Sequence, residues 1–98
     1  MNRKVDFLSE NEVKAMIKLS PPLYFRLGKE IFDKGEIEII EFADNKIMAN
    51  IGESRRRKVE FLSSSNKLRW NCTCKRYQDK FCKHAVALGL EITKPGVQ

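Results

Sequence analysis

The chain has 98 residues, 42% of them hydrophobic, and carries 19 Lys/Arg against 13 Asp/Glu for a net charge of +6. That length suits one domain, which buries a little over about 60% of its unfolded surface and so has a modest core. No apolar run approaches the roughly 18 residues of a membrane span, and Met1-Asn2-Arg3-Lys4, with Asp6 and Glu10 close behind, lacks an apolar signal core. The expectation is a reduced, non-secreted protein, cytoplasmic or nucleoid/nuclear, without a membrane partner.

Phe7 to Val13 reads as a helix start. Ser9 is the expected cap, Glu12 its capping-box partner, and Leu8 against Val13 a hydrophobic staple. Val13, Met16 and Ile17 form one apolar stripe. Ser20-Pro21-Pro22 ends this helix, because a residue before proline disfavours the α region, and Ser20 with Pro21 is placed to cap the next one. In that second helix Leu23, Tyr24, Leu27, Gly28, Ile31 and Phe32 recur at helical spacing as a predicted core stripe, and Gly35 supplies a left-handed closing residue.

After Gly35 the period changes to two. Ile37, Ile39 and Phe42 read as one strand, Asp44-Asn45 as a turn, and Ile47, Ala49 and Ile51 as the inner side of a second strand. Ile40 breaks the first alternation, either as a bulge or in a strand covered on both faces. Val59 and Phe61 mark a third strand, the polar loop Ser63-Ser64-Ser65-Asn66 a turn, and Leu68 to Cys74 a fourth strand. Connections this short favour an antiparallel meander, with one face apolar beneath the helices. The predicted class is α+β within a single domain, 1–98: a helical part over 1–35, a four-stranded meander over 36–69, and a last segment, 70–92, ending in a helix.

All three cysteines, Cys72, Cys74 and Cys82, and the only histidine, His84, fall in one short window spaced Cys-x-Cys, seven residues, Cys-x-His. Tetrahedral Zn²⁺ takes four such ligands, and a closed set leaves no open position for substrate, so the expected metal is one structural Zn²⁺. Leu68, Trp70, Cys72 and Cys74 share a face of an extended segment, so both thiols leave it on one side. Ala85, Val86, Ala87, Leu88, Leu90 and Ile92 have helical spacing, which sets Cys82 and His84 where a helix begins. The metal then staples the last strand to the last helix. Apolar filler, a redox pair and disulfides are the competing readings. The odd cysteine count opposes a disulfide framework, and the tight spacings with one histidine favour a single ion over an iron–sulfur cluster.

Trp70-x-Cys72-x-Cys74 followed by Cys82-Lys83-His84-Ala85-Val86-Ala87-Leu88 resembles the SWIM zinc finger, and all four ligand positions match. The resemblance implies zinc on those four residues, within a finger spanning 70–92. It also implies DNA binding or protein interaction, in settings that include transposases, chromatin remodellers and partners of recombinase paralogues. The spacer Lys75 to Phe81 departs from the family pattern in lacking a proline and small residues after the second cysteine.

Charge is unevenly divided. Residues 1–54 carry 8 Lys/Arg and 10 Asp/Glu, net −2, and residues 55–98 carry 11 and 3, net +8. Arg55, Arg56, Arg57, Lys58, Lys67, Arg69, Lys75, Arg76, Lys80 and Lys83 are the candidate nucleic-acid contacts. The competing reading of Arg55 to Lys58 is a solvated edge strand guarded by charge. Alternation puts Arg69 on the outer sheet face, and Arg57 is expected to join it there. Tyr77 and Phe81 either stack on bases or shield the sulfurs, while Trp70, on the cysteine face, packs beneath the helix.

A zinc module that binds nucleic acid, DNA first and with weak sequence specificity, is therefore the leading expectation. The alternative is a protein-interaction adaptor, for example a partner of a RecA-like recombinase paralogue in DNA repair, using the two amphipathic helices. An enzyme acting on a small-molecule substrate is not expected: the chain has no second histidine, Gly-rich phosphate loop or serine nucleophile motif. Glu36, Glu38 and Glu41 follow a strand pattern, with Glu36 and Glu38 on one face and Glu41 on the other, and a solvated face explains the first two better than acid and base roles.

Overall fold

The computed structural model describes Phe7 and residues 9–52, 56–65, 67–74 and 80–94. The order is α1 (Glu10–Leu19), α2 (Pro22–Asp33), β1 (Ile37–Phe42), β2 (Lys46–Ile51), β3 (Arg57–Ser64), β4 (Lys67–Cys72) and α3 (Lys83–Thr93). The strands form one antiparallel sheet in sequence order, β1-β2-β3-β4, as the short connections require.

Register follows from burial. Ile47, Ala49 and Ile51 of β2 and Val59 and Phe61 of β3 are fully buried, and the pairs Ile47↔Phe61, Ala49↔Val59 and Phe61↔Trp70 align them on one face. A slip of one residue would expose this whole set. At Ile40 the β1–β2 register shifts between Ile39 and Glu41, and Ile40 is 51% exposed. The broken alternation is thus a bulge.

Against the apolar face lies α3. His84 through Gly89 and Ile92 are all buried, and a helix apolar on every side must be enclosed on every side. The sheet covers one side, and α2 and α1 cover others at two glycines. A Cβ on Gly28 of α2 would come within 2.6 Å of Val86 Cγ1 and 2.7 Å of the Lys83 carbonyl oxygen. On Gly89 of α3 a Cβ would meet Ile17 and Val13 of α1 at 3.0 and 3.1 Å. Gly28 therefore sets the α2–α3 approach directly over the first turn of α3.

The helix ends differ in part from expectation. Ser9 precedes α1, but its Oγ lies 2.6 Å from Ser63 Oγ of β3, and Glu12 Oε1 accepts the Leu68 amide at 2.7 Å. The capping box does not form because both side chains are drawn to the β3–β4 hairpin; Leu8 lies outside the described residues. Ser20 closes α1 by donating to the Ile17 carbonyl at 2.5 Å, and Pro21, not Ser20, occupies the position before α2. Gly35 has φ +70°, and Glu36 donates to Ile31, the closure that a left-handed glycine allows. The α2 stripe is less covered than its spacing suggests: only Gly28 is buried, and Leu23 is 52% exposed. Among the described elements the helix packs mainly on α3, and one helix cannot cover so wide a stripe.

Candidate metal centre

Four elements of local structure bring the predicted ligands together. Cys72 ends β4 opposite Val59, on the inner face it shares with Trp70. The expected strand to Cys74 stops at Cys72, and Thr73 and Cys74 turn out of the sheet. Cys82 stands in extended conformation before α3 and its carbonyl accepts the Val86 amide at 2.9 Å, which starts the helix. His84 lies buried in the first turn.

The ligand atoms of Cys72, Cys74, Cys82 and His84 all lie within 4.8 Å of one another. His84 presents Nδ1, which is 3.7 Å from Cys72 Sγ and 3.9 Å from Cys82 Sγ. A tetrahedron with zinc–sulfur bonds of about 2.3 Å and zinc–nitrogen bonds of about 2.0–2.1 Å has sulfur–nitrogen edges of about 3.6 Å. Three thiols and an imidazole at such spacing fit Zn²⁺ and fill a closed shell.

The thiols are unequal before they meet a metal. Cys82 is pulled down to about 4, first by its hydrogen bond with the Cys72 thiol and further by His84 and the Ala85 amide, against the opposing effect of burial. Cys72 is pushed well above the ordinary thiol range by that same bond and by burial. The hydrogen bond between the two thiols holds a proton that must leave when metal enters.

Aromatic rings wall the site. Phe81 is fully buried, stacked on Phe61 at 5.3 Å and met edge-on by Trp70 at 5.1 Å. Phe7 adds a tilted contact to Phe61 at 6.3 Å. Phe81 is therefore a core wedge and not available for stacking on bases; Tyr77 lies outside the described residues. Trp70 turns inward, half-buried, as its shared face with Cys72 requires.

Residues 51–89 match the family model of the SWIM zinc finger. Over this segment the chain is similar to the SWIM zinc finger. The segment runs from the end of β2 through β3 and β4 into α3, so it includes β3 as well as the residues from Trp70 onward that carry the resemblance in the sequence. No curated protein and no solved structure matches the chain. The SWIM zinc finger is a binding module, and in this chain the three gathered cysteines and one histidine provide one structural zinc site joining the last strand to the last helix. Among the described residues, no helix is long and apolar enough to cross a membrane.

Among the described residues, the candidate basic contacts do not form one patch. Lys58 and Arg69 are exposed on the outer face of β3 and β4, and Lys67 is exposed at the far end of the ribbon, opposite Ser64. Arg57 is half-buried and shares the parity of Val59 and Phe61, opposite Ile51. It therefore does not join Arg69 outside; Lys58 takes that face, since side chains two apart lie on one side. Arg56 is exposed and paired with Glu38. Lys46, not foreseen as a contact, lies 3.7 Å from both Glu41 and Glu60 and offsets two acids on this face. Lys80 precedes α3 and Lys83 is its first residue, and Arg55, Lys75 and Arg76 lie outside the described residues.

Sequence reasoning missed Thr73 and the observed role of Glu12. Both act by hydrogen bonds to backbone of distant strands, and nothing local in the chain marks such partners.

Proposed function

We propose that Cys72, Cys74, Cys82 and His84 ligate the structural zinc, and that the zinc-braced sheet binds nucleic acid through its outer face. The observation that carries this reading is the arrangement of Lys58, Lys67 and Arg69. All three are exposed, and none pairs with a described carboxylate. Along the ribbon Arg69 is four residues and Lys67 six from the Lys58 rung, about 13 and 20 Å at strand rise. Such a row suits a phosphate backbone, which supplies affinity without reading bases. Binding is then weakly sequence-specific, steeply salt-dependent and non-catalytic.

The test is a titration of the zinc-loaded protein with labelled single- and double-stranded DNA and RNA at two salt concentrations. Binding that weakens strongly with salt supports the reading, and no binding at low salt overturns it. A second reading, a protein-interaction adaptor such as a partner of a RecA-like recombinase paralogue, is favoured by one observation. Leu19, Leu23 and Phe25 are 62%, 52% and 38% exposed around the α1–α2 corner, and exposed apolar side chains of this size suit a protein partner. Failure of the titration would direct the search there.

A further inference from the structure

Between Cys72 and Cys74 stands a residue that offers the metal no ligand. Thr73 lies directly opposite Lys58, continuing the register in which Cys72 faces Val59. In a regular antiparallel pair of this kind, two residues exchange both backbone hydrogen bonds. Here the Thr73 amide donates to the Lys58 carbonyl at 3.1 Å, but the Lys58 amide donates to Thr73 Oγ1, also at 3.1 Å. The hydroxyl replaces the main-chain carbonyl as acceptor. The last rung of the ladder is kept while the backbone after Thr73 is released from the sheet, at the point where Cys74 must turn toward Cys82 and His84.

We infer that Thr73 is a positioning residue for the zinc site, its hydroxyl clipping the Cys72–Cys74 turn to the basic start of β3. The clip acts on backbone, so it holds the two thiols at their relative setting before metal arrives and lowers the ordering needed on binding. It also ties the metal centre to Lys58, so that a filled site fixes the position of the first outer-face lysine. This coupling belongs to the metal site itself and holds whether or not the outer face binds nucleic acid.

The experiment uses the full-length zinc-loaded chain and three substitutions. Thr73→Val keeps the shape and β preference and removes the acceptor. Thr73→Ser keeps the acceptor. Thr93→Val removes a hydroxyl that donates to the Gly89 carbonyl at 2.8 Å in the last turn of α3 and so controls for general destabilisation. Zinc release into an excess of a chromogenic chelator and amide exchange at Lys58 are measured for each. The Thr73→Val variant is expected to release zinc about three- to tenfold faster, the range that loss of one hydrogen bond gives, with a parallel rise in Lys58 exchange. Thr73→Ser should stay near the unsubstituted protein in both readouts, and Thr93→Val should leave zinc release unchanged. Unaltered release from Thr73→Val, no rescue by serine, or equal acceleration by Thr93→Val would each overturn the assignment.

Discussion

On the β3–β4 ribbon, one face carries Val59, Phe61, Trp70 and Cys72, and the other carries Lys58, Glu60, Leu62, Arg69 and Asn71. The two sets alternate along the same two strands, yet one builds the core and the metal wall and the other meets solvent, with Lys58, Arg69 and Asn71 exposed and Glu60 and Leu62 half-buried. Inside, every group is fixed by its neighbours, and small changes propagate because packed interiors have no slack. Outside, Lys46 shares two carboxylates at 3.7 Å and the ion pairs are partly exposed, where such pairs contribute about 0–1 kcal/mol. Stability should therefore respond to substitutions on the inner face and affinity to those on the outer.

The largest contrast comes from the ligands. Cys82→Ser or His84→Ala should abolish stoichiometric zinc, checked by elemental analysis, and lower the melting temperature by tens of degrees. Structural zinc supplies about 10–16 kcal/mol of apparent folding free energy in zinc-finger peptides. Here α1, α2 and the sheet retain part of a core, so opening should begin in the C-terminal third. Acid should act in the same direction. Zinc takes thiolates, and the Cys72 proton, held by the hydrogen bond with Cys82 and by burial, must be displaced. Zinc affinity is therefore expected to fall as pH falls, roughly tenfold per unit for each proton displaced. A pH-independent affinity in a competition titration would show that no thiol proton leaves on binding.

Next in size is Phe81→Ala. Phe81 packs on both Phe61 and Trp70 at centroid distances of 5.3 and 5.1 Å, and removing a buried phenylalanine costs about 3–5 kcal/mol. Denaturant unfolding should show that loss. Unchanged stability with weakened nucleic-acid binding would restore the ring to the solvent side. Gly28→Ala follows, at about 1–3 kcal/mol for overpacking, since its new Cβ meets Val86 and the Lys83 carbonyl at 2.6–2.7 Å. Because that approach lies over the first turn of α3, faster zinc release should accompany the drop in stability.

Much of this contrast was legible in the chain. Period-two alternation identified Ile47, Ala49, Ile51, Val59 and Phe61 as one buried face, and helical spacing identified α3. The spacing of Cys72, Cys74, Cys82 and His84 was enough to expect a closed ligand set, because sequence-local segments supply both halves of it. What escaped depends on contacts between distant segments. Ser9 and Glu12 have the pattern of a capping box, but Ser63 Oγ and the Leu68 amide compete for them across the fold. The α2 stripe looked like core, yet how much of it is covered depends on which elements pack there. Arg57 is a different case: its parity with Val59 was readable, and alternation alone would have put Lys58, not Arg57, beside Arg69.

The smallest expected effect on folding, and the sharpest separation of the two faces, belongs to Lys58→Ala, Lys67→Ala and Arg69→Ala combined. None of these side chains pairs with a described carboxylate, and surface substitutions away from special features usually stay within about 0.5 kcal/mol. Melting temperature and zinc content should hold. Nucleic-acid affinity should drop, and the slope of log affinity against log salt should flatten by up to about 0.9 on duplex DNA for each phosphate that is no longer neutralised. Replacing Arg55, Arg56 and Arg57 together provides the comparison. Arg56 already pairs with Glu38 and Arg57 faces inward, so the triple change at 55–57 should flatten the slope less than the triple change at Lys58, Lys67 and Arg69. The reverse order would move the binding surface from the outer face of the ribbon to the segment that leads into β3.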